Sequence, residues 1–130
     1  MNALEDCVLV VDDEFLIAET LSIQIRDMGL KVCGTAATAA EAIALAQANR
    51  PRLVLMDMRL KGAGDGVDAA LAIHELVGSK VIFITASREP ATLERIRTDH
   101  PAAILYKPLF GRQLHTVVRE VLAAADQDCA

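Results

Sequence analysis

One short stretch of sequence decides the fold: CVLVVDDE, from Cys7 to Glu14. It joins a continuous apolar run, rich in β-branched residues, directly to three acids. An apolar run without alternation is typical of a strand that is buried on both faces, as in a parallel sheet. The pattern returns at LVLMD, from Leu53 to Asp57, where a second apolar run ends at an acid. Both stretches therefore predict buried strands whose carboxyl ends carry polar groups.

Outward from these two runs, strand-like and helical patterns alternate along the chain. Turn and cap residues separate them: Gly29 after the first helix, Thr38 with Glu41 as a capping box before the second, and Pro90 in the first turn of the fourth. This alternation predicts an α/β fold, an open, doubly wound, five-stranded parallel sheet of (βα)5 type with helices on both faces. The predicted strands are Cys7–Val11, Lys31–Thr35, Leu53–Met56, Val81–Ile84 and Ala102–Tyr106.

The helices are predicted to differ in their apolar faces. The third is expected to bury Val67, Leu71 and Ile73 and to end near Val77. The fourth has a thin apolar face, Leu93 and Ile96, which favours mobility. Its charges could be read by a partner or could simply be solvated; they are Arg88, Glu89, Glu94, Arg95, Arg97 and Asp99.

Length and charge limit the function classes. The 130 residues suit one domain, predicted over residues 1–125, with a frayed tail over 126–130. Thirteen Lys and Arg against eighteen Asp and Glu give a net charge of −5, which argues against direct nucleic-acid binding. A hydrophobic content of 53% is enough for a folded aliphatic core.

The cysteines and the N-terminus bear on the compartment. Three cysteines without a C-x-x-C spacing make a disulfide framework or a zinc site unexpected. Cys7 and Cys33 are expected to be small buried hydrophobes. No apolar run approaches the ~20 residues that span a bilayer, and the first residues carry no basic leader. We therefore expect no membrane contact and a reducing cytoplasm.

Polar residues at the strand ends form the candidate site. Asp12, Asp13, Asp57, Thr85 and Lys107 each follow an apolar strand, so a parallel sheet would bring them to one edge. Three close carboxylates repel one another unless a cation neutralises them, and oxygen ligands suit Mg²⁺. A lysine and a hydroxyl aimed at the same place suggest a phosphoryl group.

Each residue also has a purely structural interpretation. The acids Asp12–Glu14 could favour a helix N-terminus, Thr85 could be a cap or turn residue, and Lys107-Pro108 could mark a strand exit. Asp57 is harder to explain in this way, because an unpaired charge after a buried run is costly. The segment Lys61–Gly66 lacks the order of a phosphate-binding loop and is interpreted as a flexible loop that enters the third helix near Asp65.

Taken together, VLVVDDE, LVLMDMRL, Ile-Thr85-Ala86 and Lys107-Pro108 resemble the receiver domain of bacterial two-component response regulators, in particular the chemotaxis regulators. The resemblance covers nearly the whole chain. It implies the flavodoxin-like strand order 2-1-3-4-5. It also implies that Asp57 accepts a phosphoryl group from a phosphohistidine on a histidine kinase or histidine phosphotransfer protein.

The resemblance further implies roles for the neighbouring residues. Asp13, Asp57 and the backbone carbonyl of Arg59 would hold Mg²⁺, and Asp12 would assist. Lys107 and the Thr85 hydroxyl would bind the phosphoryl oxygens. The other residues assigned to the site are small Ala86, which leaves the approach open, Met58 directly after the acceptor, and Pro108 at the family's cis-peptide position.

Two departures from the family pattern concern the switch. Lys61 stands where many members have proline, and the loop is one residue longer, so it is expected to be looser. Ile104 occupies the position of the switch aromatic. Tyr106 instead directly precedes Lys107 and, if side chains alternate along the strand, lies on the face opposite that of Ile104. The coupling of the threonine to an aromatic residue is therefore not expected in its usual form.

The implied function is a signalling switch rather than an enzyme. Phosphorylation adds about −1.5 to −2 charge, which would move Thr85, Lys107 and helix 4. The surface of helix 4, strand 5 and helix 5 would then control a protein partner, in a monomer or a weak dimer formed through that surface. Two alternatives stay open: a phosphorylation-independent interaction module, and a small phosphohydrolase with Asp12 as nucleophile and Glu14 as acid or base.

Overall fold

The computed structural model describes residues 4–109 and 111–128, and strands and helices alternate throughout them. Each predicted strand is present, with bounds that differ from the prediction by at most two residues at either end. The elements are β1 (Glu5–Val11), α1 (Phe15–Asp27), β2 (Lys31–Ala36), α2 (Ala39–Asn49), β3 (Pro51–Asp57), α3 (Gly66–Leu76), β4 (Lys80–Thr85), α4 (Pro90–Arg97), β5 (Ala103–Tyr106) and α5 (Gly111–Asp128).

The strands form one parallel sheet in the order β2-β1-β3-β4-β5. Two apolar clusters cover its faces. One lies beneath α2, α3 and α4 and includes Val67 and Ile96. The other lies beneath α1 and α5 and includes Ile25 and Leu114. The predicted doubly wound fold with strand order 2-1-3-4-5 and helices on both faces is confirmed.

Local signals at the helix ends act largely as predicted. Gly29, with φ +83°, follows the end of α1. The Thr38 hydroxyl oxygen accepts a hydrogen bond from the backbone N–H of Glu41 at 3.1 Å. In a complete capping box the Glu41 carboxylate would accept from the backbone N–H of Thr38. Here it accepts from the Thr38 hydroxyl instead. A complete capping box begins α3, where Asp65 is the N-cap and Asp68 its partner.

The predicted apolar face of α3 is wrong at one residue. Leu71 is 44% exposed, whereas Val67, Ala70 and Ile73 are fully buried. Those three positions follow a spacing of three residues and already fill the side that faces the sheet. Leu71 is one step of about 100° around the helix from Ala70, which turns it towards solvent.

The expectation of two separate buried thiols is also wrong. Cys7 and Cys33 form a disulfide that joins β1 to β2, with Cα atoms 5.5 Å apart. The register between these strands shifts after Val8, so Cys33 is an extra residue in β2. The pairing runs against the expectation of reduced cysteines in a cytoplasmic protein.

Helix α5 is the longest helix of the described residues and continues to Asp128, beyond the predicted domain boundary at residue 125. Its inner face is apolar, with Leu114, Val118 and Val121 buried. Residues 129 and 130 lie outside the described residues, so the frayed tail stays a prediction. Across 4–109 and 111–128, no helix has both the length and the apolar character needed to cross a membrane.

Candidate functional site

Three acids meet at the carboxyl edge of the sheet. Asp12 and Asp13 directly follow β1, and Asp57 is the last residue of β3. Because β1 and β3 are neighbours, with Val11 opposite Met56, their ends coincide. One carboxylate oxygen from each acid lies within 4.8 Å of the others. Residues that are 45 positions apart in sequence therefore form one compact acidic cluster.

Lys107 lies against this cluster. Its Nζ is 3.1 Å from Oδ2 of Asp12 and 3.5 Å from Oδ2 of Asp57. It directly follows β5, and its peptide bond to Pro108 is cis, as the resemblance implies. One lysine cannot balance three carboxylates, so the cluster keeps an excess of negative charge.

The electrostatics of Asp57 reflect that excess. Burial raises its pKa to about 6, and repulsion from Asp12 and Asp13 adds to the shift, against the attraction of Lys107. The pKa of Lys107 is also raised: burial acts to lower it, but the nearby Asp57 and Asp12 outweigh that effect. The site favours an additional positive charge.

The donor set fits a hard divalent cation. Asp12 is already engaged on both oxygens, since Oδ1 accepts from the backbone N–H of Glu14 at 2.9 Å and Oδ2 accepts from Lys107. Asp13 is only partly buried and lines the cleft beside Asp57. Carboxylate oxygens open to water on one side are the ligands that Mg²⁺ prefers. Asp13 and Asp57 are thus the better placed first ligands.

Thr85 reaches the same edge from β4. It is the last residue of this strand and is buried, and its neighbour Ile84 lies opposite Asp57. Its hydroxyl oxygen accepts from the backbone N–H of Ser87 at 3.1 Å, which is the turn role that the sequence allowed. The predicted residues that line one open cleft of about 840 Å³ are Asp13, Asp57, Met58, Arg59, Thr85, Ala86 and Lys107.

Three predicted residues line a different pocket. Ile104, Tyr106 and Pro108 border a smaller cavity of about 330 Å³ on the β5 side of the molecule. Ile104 packs against the cluster beneath α2, α3 and α4, whereas Leu105 packs against the other cluster. Because side chains alternate between the two faces along a strand, Tyr106 lies on the same face as Ile104, and only its direct neighbours lie on the other face. The prediction that Tyr106 lies on the face opposite that of Ile104 is therefore wrong.

Tyr106 makes a contact that the sequence did not reveal. The Arg88 guanidinium carbon lies 4.0 Å from the centre of the Tyr106 ring, a cation–π distance. Tyr106 is also the Cα partner of Thr85 between β4 and β5. An aromatic residue therefore lies beside Thr85 after all, although not at position 104. No sequence signal links Arg88 to Tyr106, because the contact depends on how the β4–α4 loop folds.

The loop between β3 and α3 borders the cleft. Its Lys61 donates a backbone N–H to Ala37 O at 2.9 Å, and Gly66 donates to Met58 O at 2.8 Å. A Cβ at Gly66 would clash with the carbonyl oxygen of Asp57. Only glycine therefore allows α3 to start directly against the backbone of Asp57.

Three contacts between side chains on the α3–α4 side were missed. Arg95 binds Asp65 and Asp68. His74 Nδ1 lies 2.7 Å from Oδ1 of Asp99, whose side chain is fully buried. Burial raises the pKa of Asp99, and His74 acts in the other direction. The expectation that Asp99 is read by a partner or solvated is therefore wrong, because its side chain is buried against His74.

Comparison with known proteins gives one consistent family. A family model described as the response regulator receiver domain matches residues 8–119. The chain is 35% identical over 101 residues to the transcriptional regulatory protein PdtaR of Mycobacterium tuberculosis, covering 78% of this chain and 49% of that protein. It is 34% identical over 117 residues to the phyllosphere-induced regulator PhyR of Methylorubrum extorquens, covering 88% and 43%. The chain thus spans about half the length of these relatives or less.

A solved structure agrees in fold as well as in sequence. The signal receiver domain of a modulated diguanylate cyclase from Desulfovibrio desulfuricans G20 superposes with a TM-score of 0.88 at 33% identity, covering 94% of this chain and 97% of that one. Family match, relatives and fold agree with the resemblance found in the sequence. This chain belongs to the receiver domains of two-component response regulators.

Proposed function

We propose that this chain is a phosphorylation-dependent switch whose Asp57 accepts a phosphoryl group from a phosphohistidine. The donor would be a histidine kinase or a histidine phosphotransfer protein, acting in the cytoplasm. One observation carries the proposal: Asp57 shares a single cleft with Asp13, Thr85 and Lys107, and its pKa is raised to about 6.

Asp57 is suited to the role of nucleophile. A carboxylate with a pKa of about 6 is largely ionised at pH 7 and is more basic than an ordinary aspartate. One of its oxygens would attack phosphorus as the bond from phosphorus to the histidine nitrogen breaks, leaving an acyl phosphate on Asp57. Small Ala86 and the open side of the cleft leave room for the donor.

Magnesium is the implied cofactor. Asp13, Asp57 and the backbone carbonyl of Arg59 would hold it, with Asp12 assisting. When bound, the ion would neutralise the acids and the charge of the transferred group. Lys107 would bind a phosphoryl oxygen, since its Nζ already lies 3.5 Å from Asp57.

The output would arise from Thr85. For its hydroxyl to bind the phosphoryl group, Thr85 would turn away from the Ser87 N–H that it now accepts from. That change acts on the segment that leads into α4. The surface of α4, β5 and α5 would then change and control a downstream protein partner, in a monomer or a weak dimer formed through this surface.

The acceptor is tested with acetyl phosphate, with and without Mg²⁺. Wild-type protein should incorporate acid-labile phosphate only with Mg²⁺, and Asp57→Asn should incorporate none. Asp27→Asn, an exposed aspartate at the end of α1, is the matched control and should label like wild type. Labelling of Asp57→Asn would show that the acceptor is misassigned.

The switch is tested with beryllofluoride, which mimics the phosphoryl group. Amide resonances from Arg88 to Thr98 should shift when it binds in the presence of Mg²⁺. Unshifted resonances over this range would contradict an output through α4 and would favour a phosphorylation-independent module.

The phosphohydrolase alternative is not favoured by the geometry. Its nucleophile, Asp12, has a side chain that is only 1% exposed, and both carboxylate oxygens are engaged. The phosphohydrolase alternative would be supported only if the protein hydrolysed small phosphate esters and Asp12→Asn abolished that activity.

A further inference from the structure

A cluster of three hydrogen bonds connects α4 to the start of α3. Arg95 of α4 donates from Nε to Oδ2 of Asp65 at 2.9 Å and from Nη2 to Oδ1 of Asp65 at 3.0 Å. The same Nη2 donates to Oδ1 of Asp68 at 3.0 Å. The guanidinium thus binds one carboxylate in a bidentate manner and touches a second. This is the strong geometry for an arginine–carboxylate pair.

The two aspartates that Arg95 binds are the capping box of α3. Asp65 accepts from the backbone N–H of Asp68, and Asp68 accepts from that of Asp65, each at 2.9 Å. Asp65 also lines the cleft that contains Asp57. Because Gly66 begins α3 against the Asp57 carbonyl, the group that Arg95 holds lies directly beside the acceptor.

Apolar packing holds α4 only weakly. Ile96 is its one fully buried residue, and Leu93 is partly buried. Its N-cap residue, Glu89, makes no side-chain capping bond. Isolated surface ion pairs contribute little, but bidentate networks are the exception. Besides Ile96 and the buried Asp99 just beyond the helix end, the Arg95 network is one of the few described contacts that fix the position of α4.

We propose that Arg95 is a positioning residue, a polar clamp that holds α4 against the β3–α3 loop in the resting receiver and loosens when α4 moves. The clamp is a route between cleft and α4 that is separate from Thr85. Its holding role stands on the geometry alone, whereas its loosening rests on the proposed function.

The chain offers a matched control on the same helix. Arg97 lies two residues further along α4, is exposed and carries the same charge. Arg95→Ala and Arg97→Ala each remove one positive charge and change the helix propensity by a similar amount, but only Arg95→Ala removes the clamp. Arg95→Lys keeps the charge and loses the bidentate fork, so its effects should fall between wild type and Arg95→Ala.

The holding role is tested without any ligand. Amide hydrogen exchange within α4 should be about twofold to fivefold faster in Arg95→Ala than in Arg97→Ala, the ratio expected for a weak to moderate ion-pair network. Exchange in α5 and the urea midpoint should be nearly the same in the two variants. Equal exchange of α4 in both variants would overturn the clamp.

The loosening is tested with beryllofluoride and Mg²⁺. If the clamp favours the resting position, its loss shifts the population towards the bound form. Arg95→Ala should then reach half-saturation at about twofold to fivefold lower beryllofluoride than Arg97→Ala. An unchanged or higher half-saturation would refute the loosening. Absence of any binding by the wild type would count against the proposed function instead, because the exchange result does not depend on it.

Discussion

The middle and the carboxyl end of the same strand differ sharply in character. In β3, Leu53 to Met56 are fully buried and apolar, and the next residue is a buried acid, Asp57. The same change occurs in β1, where Val11 is followed by Asp12, and in β4, where Ile84 is followed by Thr85. One step along each strand passes from aliphatic core to polar site.

The difference separates stability from function. Burial of an apolar side chain in the strand middles stabilises the fold. Burial of Asp57 beside two other acids destabilises it, since the charged form loses hydration and gains repulsion. A cation can bind at the strand ends because the protein leaves negative charge there uncompensated.

The largest effect on stability should come from the strand middles. Leu55→Ala removes a fully buried side chain from the central strand and should lower the free energy of unfolding by about 2–5 kcal/mol. Leu71→Ala, at a position that is 44% exposed, should change it by less than about 1 kcal/mol. Urea denaturation measures both. Similar losses in the two variants would contradict the assigned core.

The next largest effect is a pH dependence that originates at Asp57. Its pKa is raised from 3.8 to about 6 in the folded protein, so the folded state binds the proton more tightly than the unfolded chain. The contribution of Asp57 to the free energy of unfolding should therefore be most favourable below pH 4. It should fall by roughly 2–3 kcal/mol as pH rises through about 6.

The part due to Asp57 is isolated by subtraction. Asp99 also has a raised pKa and acts in the same direction, so wild type is compared with Asp57→Asn. Without Mg²⁺, Asp57→Asn should be more stable than wild type at pH 7, and the gain should shrink towards pH 4. If Asp57→Asn is instead less stable than wild type at pH 7, the negative charge of Asp57 is already neutralised by its surroundings in the folded protein.

A smaller effect should come from the contact between α3 and β3. Gly66→Ala places a Cβ against the Asp57 carbonyl and should cost about 1–3 kcal/mol while slowing phosphorylation. Gly34→Ala is the control, because its Cβ would meet only Leu45 at an ordinary 3.6 Å. Equal stability of the two variants would mean that α3 can shift away from Asp57 without cost.

The smallest effect concerns the lifetime of the phosphorylated form. Arg59 lies two residues beyond Asp57, is exposed and lines the cleft, where its side chain would obstruct attacking water. Arg59→Ser should speed dephosphorylation severalfold, measured as loss of acid-labile phosphate. Lys61→Ser, in the same loop, should leave the rate near that of wild type. An unchanged or slower rate in Arg59→Ser would remove the argument.

The apolar runs made most of the fold predictable. Runs such as Leu53–Met56 are long enough to be strands and lack alternation, so they indicate a parallel sheet covered on both faces. The strand ends then follow from topology, which is why the convergence of Asp13, Asp57 and Lys107 could be expected. The strand order itself came from the resemblance, because periodicity does not specify neighbours.

Features that depend on tertiary geometry could not be predicted. The Cys7–Cys33 pair depends on an irregular register between β1 and β2, and Leu71 on the rotation of α3 about its axis. The partners of Arg95 and Asp99 lie 25 to 30 residues away, and nothing in the sequence marks them. Charged residues on a helix look alike in sequence whether they are solvated or paired.

The central claim is that the acids at the strand ends form a cation site that serves phosphoryl transfer. Its most direct test is a Mg²⁺ titration of thermal stability at pH 7 with wild type and Asp13→Asn, whose carboxylate is the more accessible of the two first ligands. We predict a saturable rise in Tm for wild type and a much weaker one for Asp13→Asn. A rise of equal size in both proteins, or no rise in wild type, would contradict the claim.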